Sequence, residues 1–262
     1  MSNRTSMFSQ FRPVVEAFSP RHDLDSSVLS QLTLHREGCI SIAYAPFDYI
    51  ARSAKLVVVG ITPGRVQAVN ALRAAHAALC AGQSEDVTLR IAKQAASFSG
   101  TQTRKNLVAM LDVIGIAEQL GLKTSAELFD PAHEQIHFTS ALRYPVFVDG
   151  KNYNGSPHMI RTLALRKMIE THLAEEVAAL PAALWLPLGP KPSLALRHLV
   201  ACGALPAAQL LDGMPHPSGL NGERVGAFLG RIGPGQASVK TRPEKLLAAR
   251  SALQSRVTQF FA

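Results

Sequence analysis

The chain predicts an α/β protein of three layers, with a central, mostly parallel four-stranded sheet between helices. Three observations carry this. Residues 55–60 hold Leu56-Val57-Val58-Val59, a β-branched apolar run without alternation, as a strand buried on both faces requires. The loop Gly60-Ile61-Thr62-Pro63-Gly64 then leads into residues 65–79, where Val66, Val69, Leu72 and Leu79 recur at helical spacing. Similar short apolar runs at 135–138, 183–188 and 210–212 are each separated from the next by helical patterns, and that alternation favours a parallel sheet.

The remaining elements follow in order. Residues 1–26 are polar and mixed, an irregular arm or a short helix around 14–18; 28–34 is a short helical candidate, and 40–44 suits a strand. Helices are expected at 87–96 and at 106–116, where Leu107, Met110, Leu111 and Ile114 share a face. Residues 146–157, with Gly150, Asn152, Asn154 and Gly155, read as a surface loop or hairpin. Residues 161–180 form the longest helix by periodicity, and 193–202 another. At 243–261 an amphipathic helix opens on a proline at a plausible first position. No repeat or low-complexity linker divides the chain. It is expected to be one domain over 1–262, with an N-terminal arm at 1–39 and a C-terminal helical extension at 231–262.

Of the 262 residues, 47% are hydrophobic and 18% charged, which excludes a disordered chain. No apolar run reaches the roughly 20 residues of a membrane helix, and the N-terminus lacks a signal-peptide core, so the expectation is a soluble, cytoplasmic protein. Cys39, Cys80 and Cys202 form no CxxC pattern. They support neither a disulfide framework nor a zinc or iron–sulfur site and read as buried apolar thiols. Lys and Arg number 27 against 19 Asp and Glu, a net charge of +8. Such a surface attracts phosphate backbones irrespective of sequence.

In a parallel sheet the loops after the strands line one edge, where ligands bind. Here those loops are 60–64, 139–145, 189–192 and 215–221. The helix starting after Gly64 offers its N-terminal amides and dipole to an anion. The last loop, Met214-Pro215-His216-Pro217-Ser218-Gly219-Leu220-Asn221, is the most suggestive. Two prolines hold His216 on a stiff, non-helical backbone beside a hydroxyl and an amide. Asp48, in a turn before the first core strand, is a further carboxylate candidate. Asp112 reads as a solvated helix-face residue, Asn154 and His158 as solvated loop residues, and no metal is assigned to His133 or His137.

Five segments in order resemble the uracil-DNA glycosylase superfamily over roughly residues 40–230. They are VVVGITPG at 57–64, Phe98-Ser99-Gly100, the stretch Phe138 to Pro145, Trp185-Leu186-Pro187-Leu188-Gly189, and HPSGLNGER at 216–224. The resemblance implies a uracil-DNA glycosylase-like fold and hydrolysis of the N-glycosidic bond of uracil or a modified pyrimidine. The base would be flipped out of single- or double-stranded DNA, and an abasic site left without metal or cofactor. It also implies roles. His216 would donate a hydrogen bond to a base oxygen as charge builds there, and Thr62 would orient water. Ile61, Phe98 and Ser140 would contact the base. Gly64, Ser218, Asn221 and Arg224 would contact DNA, and Leu220 would fill the gap in the duplex. The chain departs from the pattern at Ile61 and Thr62, where other branches carry a glutamate or an aspartate, and at Ser140, where many carry asparagine. Two other readings stay open: a base-binding module of the same fold without turnover, and an unrelated α/β enzyme clamping a nucleotide or phosphate with Arg65 and Arg143.

Overall fold

A computed structural model describes residues 6–18, 21, 23–96, 101–130 and 132–262 apart from the side chains of Thr101 and Pro234; in it helices and strands follow one another in runs rather than alternating singly as expected. In chain order the elements are α1 (Met7–Glu16), α2 (Ser26–Gln31), β1 (Thr33–Glu37), β2 (Ile40–Ala43), β3 (Leu56–Gly60), α3 (Arg65–Cys80), α4 (Glu85–Ala96), α5 (Thr101–Val113) and α6 (Ile116–Gln119). There follow β4 (Ile136–Ser140), β5 (Val146–Val148), β6 (Lys151–Asn152), α7 (Leu163–Met168), a π-helical turn (Ile169–Leu173) and α8 (Ala174–Ala179). The chain ends with β7 (Leu184–Pro187), α9 (Pro190–Ala201), α10 (Gly222–Phe228) and α11 (Pro243–Phe261). They belong to two compact units, one of Met1–Ile50, Ile61–Ser97 and Thr139–Leu173, the other of Ala51–Gly60, Phe98–Phe138 and Ala174–Ala262.

The first unit holds an antiparallel sheet in the order β1-β2-β5-β6. Its core is aromatic: Phe11 stacks on Tyr44 at 4.6 Å, and Tyr44 tilts against Tyr144 at 5.5 Å. Helices α1, α3 and α4 pack together, α1 burying Phe8, Phe11 and Val15 at i, i+3 and i+7. Helix α1 starts where Ser6 Oγ accepts the Ser9 N–H at 3.0 Å. The sequence reading anticipated this sheet only as one strand and a possible hairpin. Residues 28–34 do not continue as a helix: α2 stops at Gln31, and β-branched Thr33 pairs with Ala43 instead.

The second unit is built on the sheet β4-β3-β7, with β3 and β7 parallel and Leu56, Val57, Val58 and Val59 opposite Leu184, Trp185, Leu186 and Pro187. All four β3 residues from Leu56 to Val59 are fully buried, as the unalternating run requires. Leu56, Val58, Leu184 and Leu186 join Leu107, Met110 and Leu111 of α5, Phe228 of α10 and Leu253 and Val257 of α11 in one core. Each such side chain contributes about 1.5–3 kcal/mol on burial.

The expected fourth strand at 210–212 reduces to an isolated parallel bridge between Leu210 and Trp185, with Leu211 N–H donating to Trp185 O at 2.8 Å. A 3-10 turn (Ala207–Gln209) ends against Leu210, and Gly213 turns the chain at a φ of +120°, so no room is left for a longer ladder. The outer carbonyl of Leu210 accepts from Arg256 Nη1 of α11 at 2.7 Å. The fold is thus mixed α/β with a three-stranded parallel sheet. The expected helix over 161–180 is split by the π-helical turn, and the longest helix is α11, of 19 residues. The three cysteines are exposed rather than buried. Cys80 ends α3, Cys202 follows α9 and Cys39 sits in the β1–β2 turn, all places where elements give out into solvent. Among the described residues no helix is long and apolar enough to cross a membrane.

Candidate functional site

In the second unit, the loops after β7 and after Leu210 are stitched together. Gly189 lies at φ +89°, ψ −178°, and its N–H donates to Met214 O at 3.2 Å. The positive φ is what calls for glycine here, and the next loop runs within contact distance: a Cβ there would lie 3.4 Å from His216 Cβ. Pro215 and Pro217 on either side of His216 are buried. The loop's carbonyls are tied down as well. Pro217 O accepts from Asn106 Nδ2 of α5 at 2.8 Å, and His216 O accepts from Asn221 Nδ2 at 3.2 Å.

This framing fixes the state of the half-buried imidazole. Ser218 N–H donates to His216 Nδ1 at 3.2 Å. A backbone N–H can only donate, so Nδ1 is the acceptor and the single proton of the neutral ring resides on Nε2. Burial lowers the His216 pKa below the ordinary imidazole value, which favours the neutral ring. The arrangement presents a neutral N–H donor suited to an oxygen that gains negative charge.

Beyond His216, Asn221 Nδ2 also donates to Ser218 Oγ at 3.4 Å, which leaves the Ser218 hydroxyl hydrogen to point elsewhere. Leu220 stands fully exposed, at 101% relative accessibility, in the short turn (Gly219–Asn221) that leads into α10. Exposure of that degree has no packing reason. Arg224 is exposed on α10. His216, Ser218, Leu220, Asn221 and Arg224 are thus on one continuous loop and helix start, with His216, Ser218 and Asn221 hydrogen-bonded together. Phe98 lies outside the described residues.

In the first unit, Thr62 is two residues beyond the end of β3. Its Oγ1 donates to Tyr144 O at 3.0 Å and accepts from Val146 N–H at 3.2 Å, so its proton is committed and one lone pair is left. Ile61 O accepts from Leu142 N–H at 2.9 Å. Ser140, the last residue of β4, is half-buried. Asp48 accepts from Tyr44 OH at 2.8 Å and from Tyr144 OH at 2.6 Å, one hydroxyl on each oxygen. Burial raises its pKa, against the two hydroxyls and the charges of Arg143 and Lys93 that pull it down. The same carboxylate and burial raise both tyrosines.

Two expectations fail here. The N-terminus of α3 is not an open anion seat: Gly64 N–H donates to Gln67 Oε1 at 2.7 Å and Arg65 N–H to Asn152 Oδ1 at 2.9 Å. Arg65 and Arg143 are not ligand clamps. The Arg65 guanidinium donates to Leu24 O and to Gly150 O and lies 5.0 Å over the Phe147 ring, while buried Arg143 donates to His172 O at 2.7 Å. Asp112 is exposed, as a solvated helix-face residue should be, and its carboxylate also accepts from Ser125 N–H at 2.6 Å and Thr124 Oγ1 at 2.7 Å, capping the turn that follows. Asn154 and His158 are exposed, and His137 is buried with Nε2 3.2 Å from Glu176. Among the described residues no group of three or more His, Cys, Asp or Glu could hold a metal ion.

Asn106, Gly189 and Asn152 were missed in sequence. Asn106 opened the expected helix over 106–116, where a polar residue draws no notice; the structure starts α5 at Thr101 and so puts Asn106 inside the helix. The other two depend on chain segments meeting from far apart, which no local pattern carries.

These features define an α/β protein with a rigid His-Pro-Ser loop that holds a neutral imidazole as a hydrogen-bond donor. No family model matches the chain, and no solved structure matches it. It is 36% identical over 198 residues to YoxB of Bacillus subtilis (strain 168), described as an uncharacterized protein, over 74% of this chain and 77% of that one. The chain belongs to the family of YoxB.

Proposed function

We propose that the protein is a monofunctional DNA glycosylase, with a uracil-DNA glycosylase-like fold in which the Leu210 bridge stands for the fourth strand. It removes uracil or a modified pyrimidine flipped out of DNA and leaves an abasic site. The observation that carries this reading is the Ser218 N–H on His216 Nδ1, which leaves Nε2–H as the donor of a neutral ring. When the bond from the sugar carbon to the base nitrogen breaks, its electron pair passes to the base and collects on a ring carbonyl oxygen. A neutral N–H fixed beforehand stabilises that oxyanion without a proton transfer, and one such donor is worth about 2.7–4 kcal/mol.

The other roles follow the resemblance. Water adds to the sugar carbon and gives up a proton to solvent, and Thr62 orients it by accepting one of its O–H bonds on the remaining lone pair. Ile61, Phe98 and Ser140 contact the base. Exposed Leu220 enters the gap left in the stack, while the Ser218 hydroxyl and Arg224 bind phosphates. Asn221 holds the His216 carbonyl. The positive net charge supports a DNA partner, and that partner supports a cytoplasmic location.

The test is incubation with labelled oligonucleotides that carry uracil and a panel of modified pyrimidines, single- and double-stranded, followed by alkaline cleavage of abasic sites. The expected result is a cut strand for at least one base, abolished by His216→Ala. No cut strand with any base refutes the proposal. A second reading, binding without turnover, is favoured by one observation: the Thr62 proton and both oxygens of Asp48 are already engaged. It predicts salt-sensitive DNA binding and no abasic sites in the same assay.

A further inference from the structure

We propose that residues 230–242, folded back onto α10, form a second surface for the phosphodiester backbone of DNA beside the Leu220 turn; this surface rests on the DNA reading above. Two contacts lay the segment along one face of α10. Near its start, Ile232 occupies the space over Gly226, where a Cβ would fall 2.6 Å from Ile232 Cδ1. Near its end, Glu223 accepts from Ser238 N–H, from Ser238 Oγ at 2.8 Å and from Thr241 Oγ1 at 2.7 Å. Glu223 is three residues beyond Leu220, so the returning segment is fastened at the same end of α10 as the exposed leucine.

What is fastened there is cationic. Arg224, Arg231, Lys240, Arg242 and Lys245 are all exposed, and none makes an ion pair among the described residues. Residues 221–262 carry seven Lys and Arg against two Glu, a net +5 of the chain's +8. Of the two glutamates, Glu223 is engaged in fastening the segment. Val239 is 94% exposed between Ser238 and Lys240, and Arg242 sits at a φ of +51°, a left-handed conformation that a non-glycine residue adopts only where its surroundings impose it. Unpaired cations held on a hydrogen-bonded frame fit a repeating anion, and counterion release from DNA makes their contribution measurable.

The experiment is fluorescence anisotropy of a duplex and a single strand that contain no target base, over roughly 50–200 mM salt. The variant combines Arg231→Gln, Lys240→Gln and Arg242→Asn; asparagine tolerates the left-handed backbone. The control is Arg52→Gln with Lys55→Gln, two exposed cations of the same unit. The expected result is a log–log salt slope smaller by about 0.9 per lost duplex phosphate contact, so by about 2–3 in the triple variant, with unchanged slope in the control. An unchanged slope in the triple variant, an equal loss in the control, or binding of anionic phospholipid vesicles in place of DNA would each overturn the inference. Base release is read separately. Wild-type protein that binds DNA with a slope reduced in the triple variant but cleaves nothing would sink the glycosylase reading and leave this surface standing. Cleavage with an unaffected slope would do the reverse.

Discussion

Replacing Gly189 by alanine tests how the two loops are fitted together, without reference to any ligand. At φ +89° and ψ −178° the residue occupies backbone space that is essentially reserved for glycine. A side chain held there costs about 1–3 kcal/mol. The new methyl would meet the next loop in ordinary van der Waals contact, 3.4 Å from His216 Cβ and 3.6 Å from its backbone nitrogen, so the cost is that of the backbone conformation. The expected loss of stability is therefore about 1–3 kcal/mol, read as a shift of the urea midpoint at constant slope or as a fall in Tm of roughly 2–4 °C per kcal/mol. Gly203 is the matched comparison. It has a φ of +74° with nothing within 4 Å of the added carbon, so Gly203→Ala carries backbone strain alone, about 1–2 kcal/mol. Because relief of the strained backbone at 189 would shift the segment packed against His216, base release should fall as well, and this second effect should vanish in a His216→Ala background. Gly189→Ala as stable as wild type would refute the account of the loop junction.

The remaining predictions concern the same frame. His216→Gln should lower base release about 10²–10³-fold, as expected for loss of one oriented donor to an oxyanion. With the His216 pKa lowered in the folded state, wild-type activity should hold constant as pH falls through the ordinary imidazole range and decline only below it. Stability has the matching sign: it is complete above the unfolded imidazole pKa of about 6.5 and is lost between that value and the lowered one, since only the unfolded chain takes up the proton there. Asn106→Ala removes the donor to Pro217 O and should cost about 1–2 kcal/mol in urea unfolding, with base release lowered as the loop loosens. Arg65→Lys loses the forked donation and the stacking over Phe147, and should cost about 1–2 kcal/mol while DNA affinity at fixed salt stays unchanged; a fall in affinity would restore Arg65 as a ligand contact.

Strand β3, strand β7 and helix α11 were legible because each carries its own burial pattern: an unbroken apolar run for the strands, and a proline start with a periodic face for the helix. The sheet of the first unit was not. Its strands are two to five residues long, and β1 reads Thr-Leu-His-Arg-Glu with its last two residues exposed, so neither length nor alternation marks it. The stiffness of the His216 loop was visible in its prolines, but the proton's position was not, since it depends on where one backbone N–H points. Asp48 shows the limit most plainly. As a residue in a turn it had no partner in sight, and the hydroxyl that binds its Oδ1 comes from Tyr144, 96 residues away. Likewise the α3 N-terminus looked open because Asn152, which closes it, is 87 residues distant.

The reduction of the expected fourth strand to a single bridge leaves the three-stranded parallel sheet with an open margin. A bare strand at such a margin offers a row of outward carbonyls and amides, the usual starting point of ribbon-to-ribbon aggregation. Here a guanidinium from the terminal helix sits on the one carbonyl that the bridge would turn outward, that of Leu210. Arg256 thus satisfies the outward acceptor at the place where the sheet stops, and a side chain without the guanidinium would leave that carbonyl to another donor.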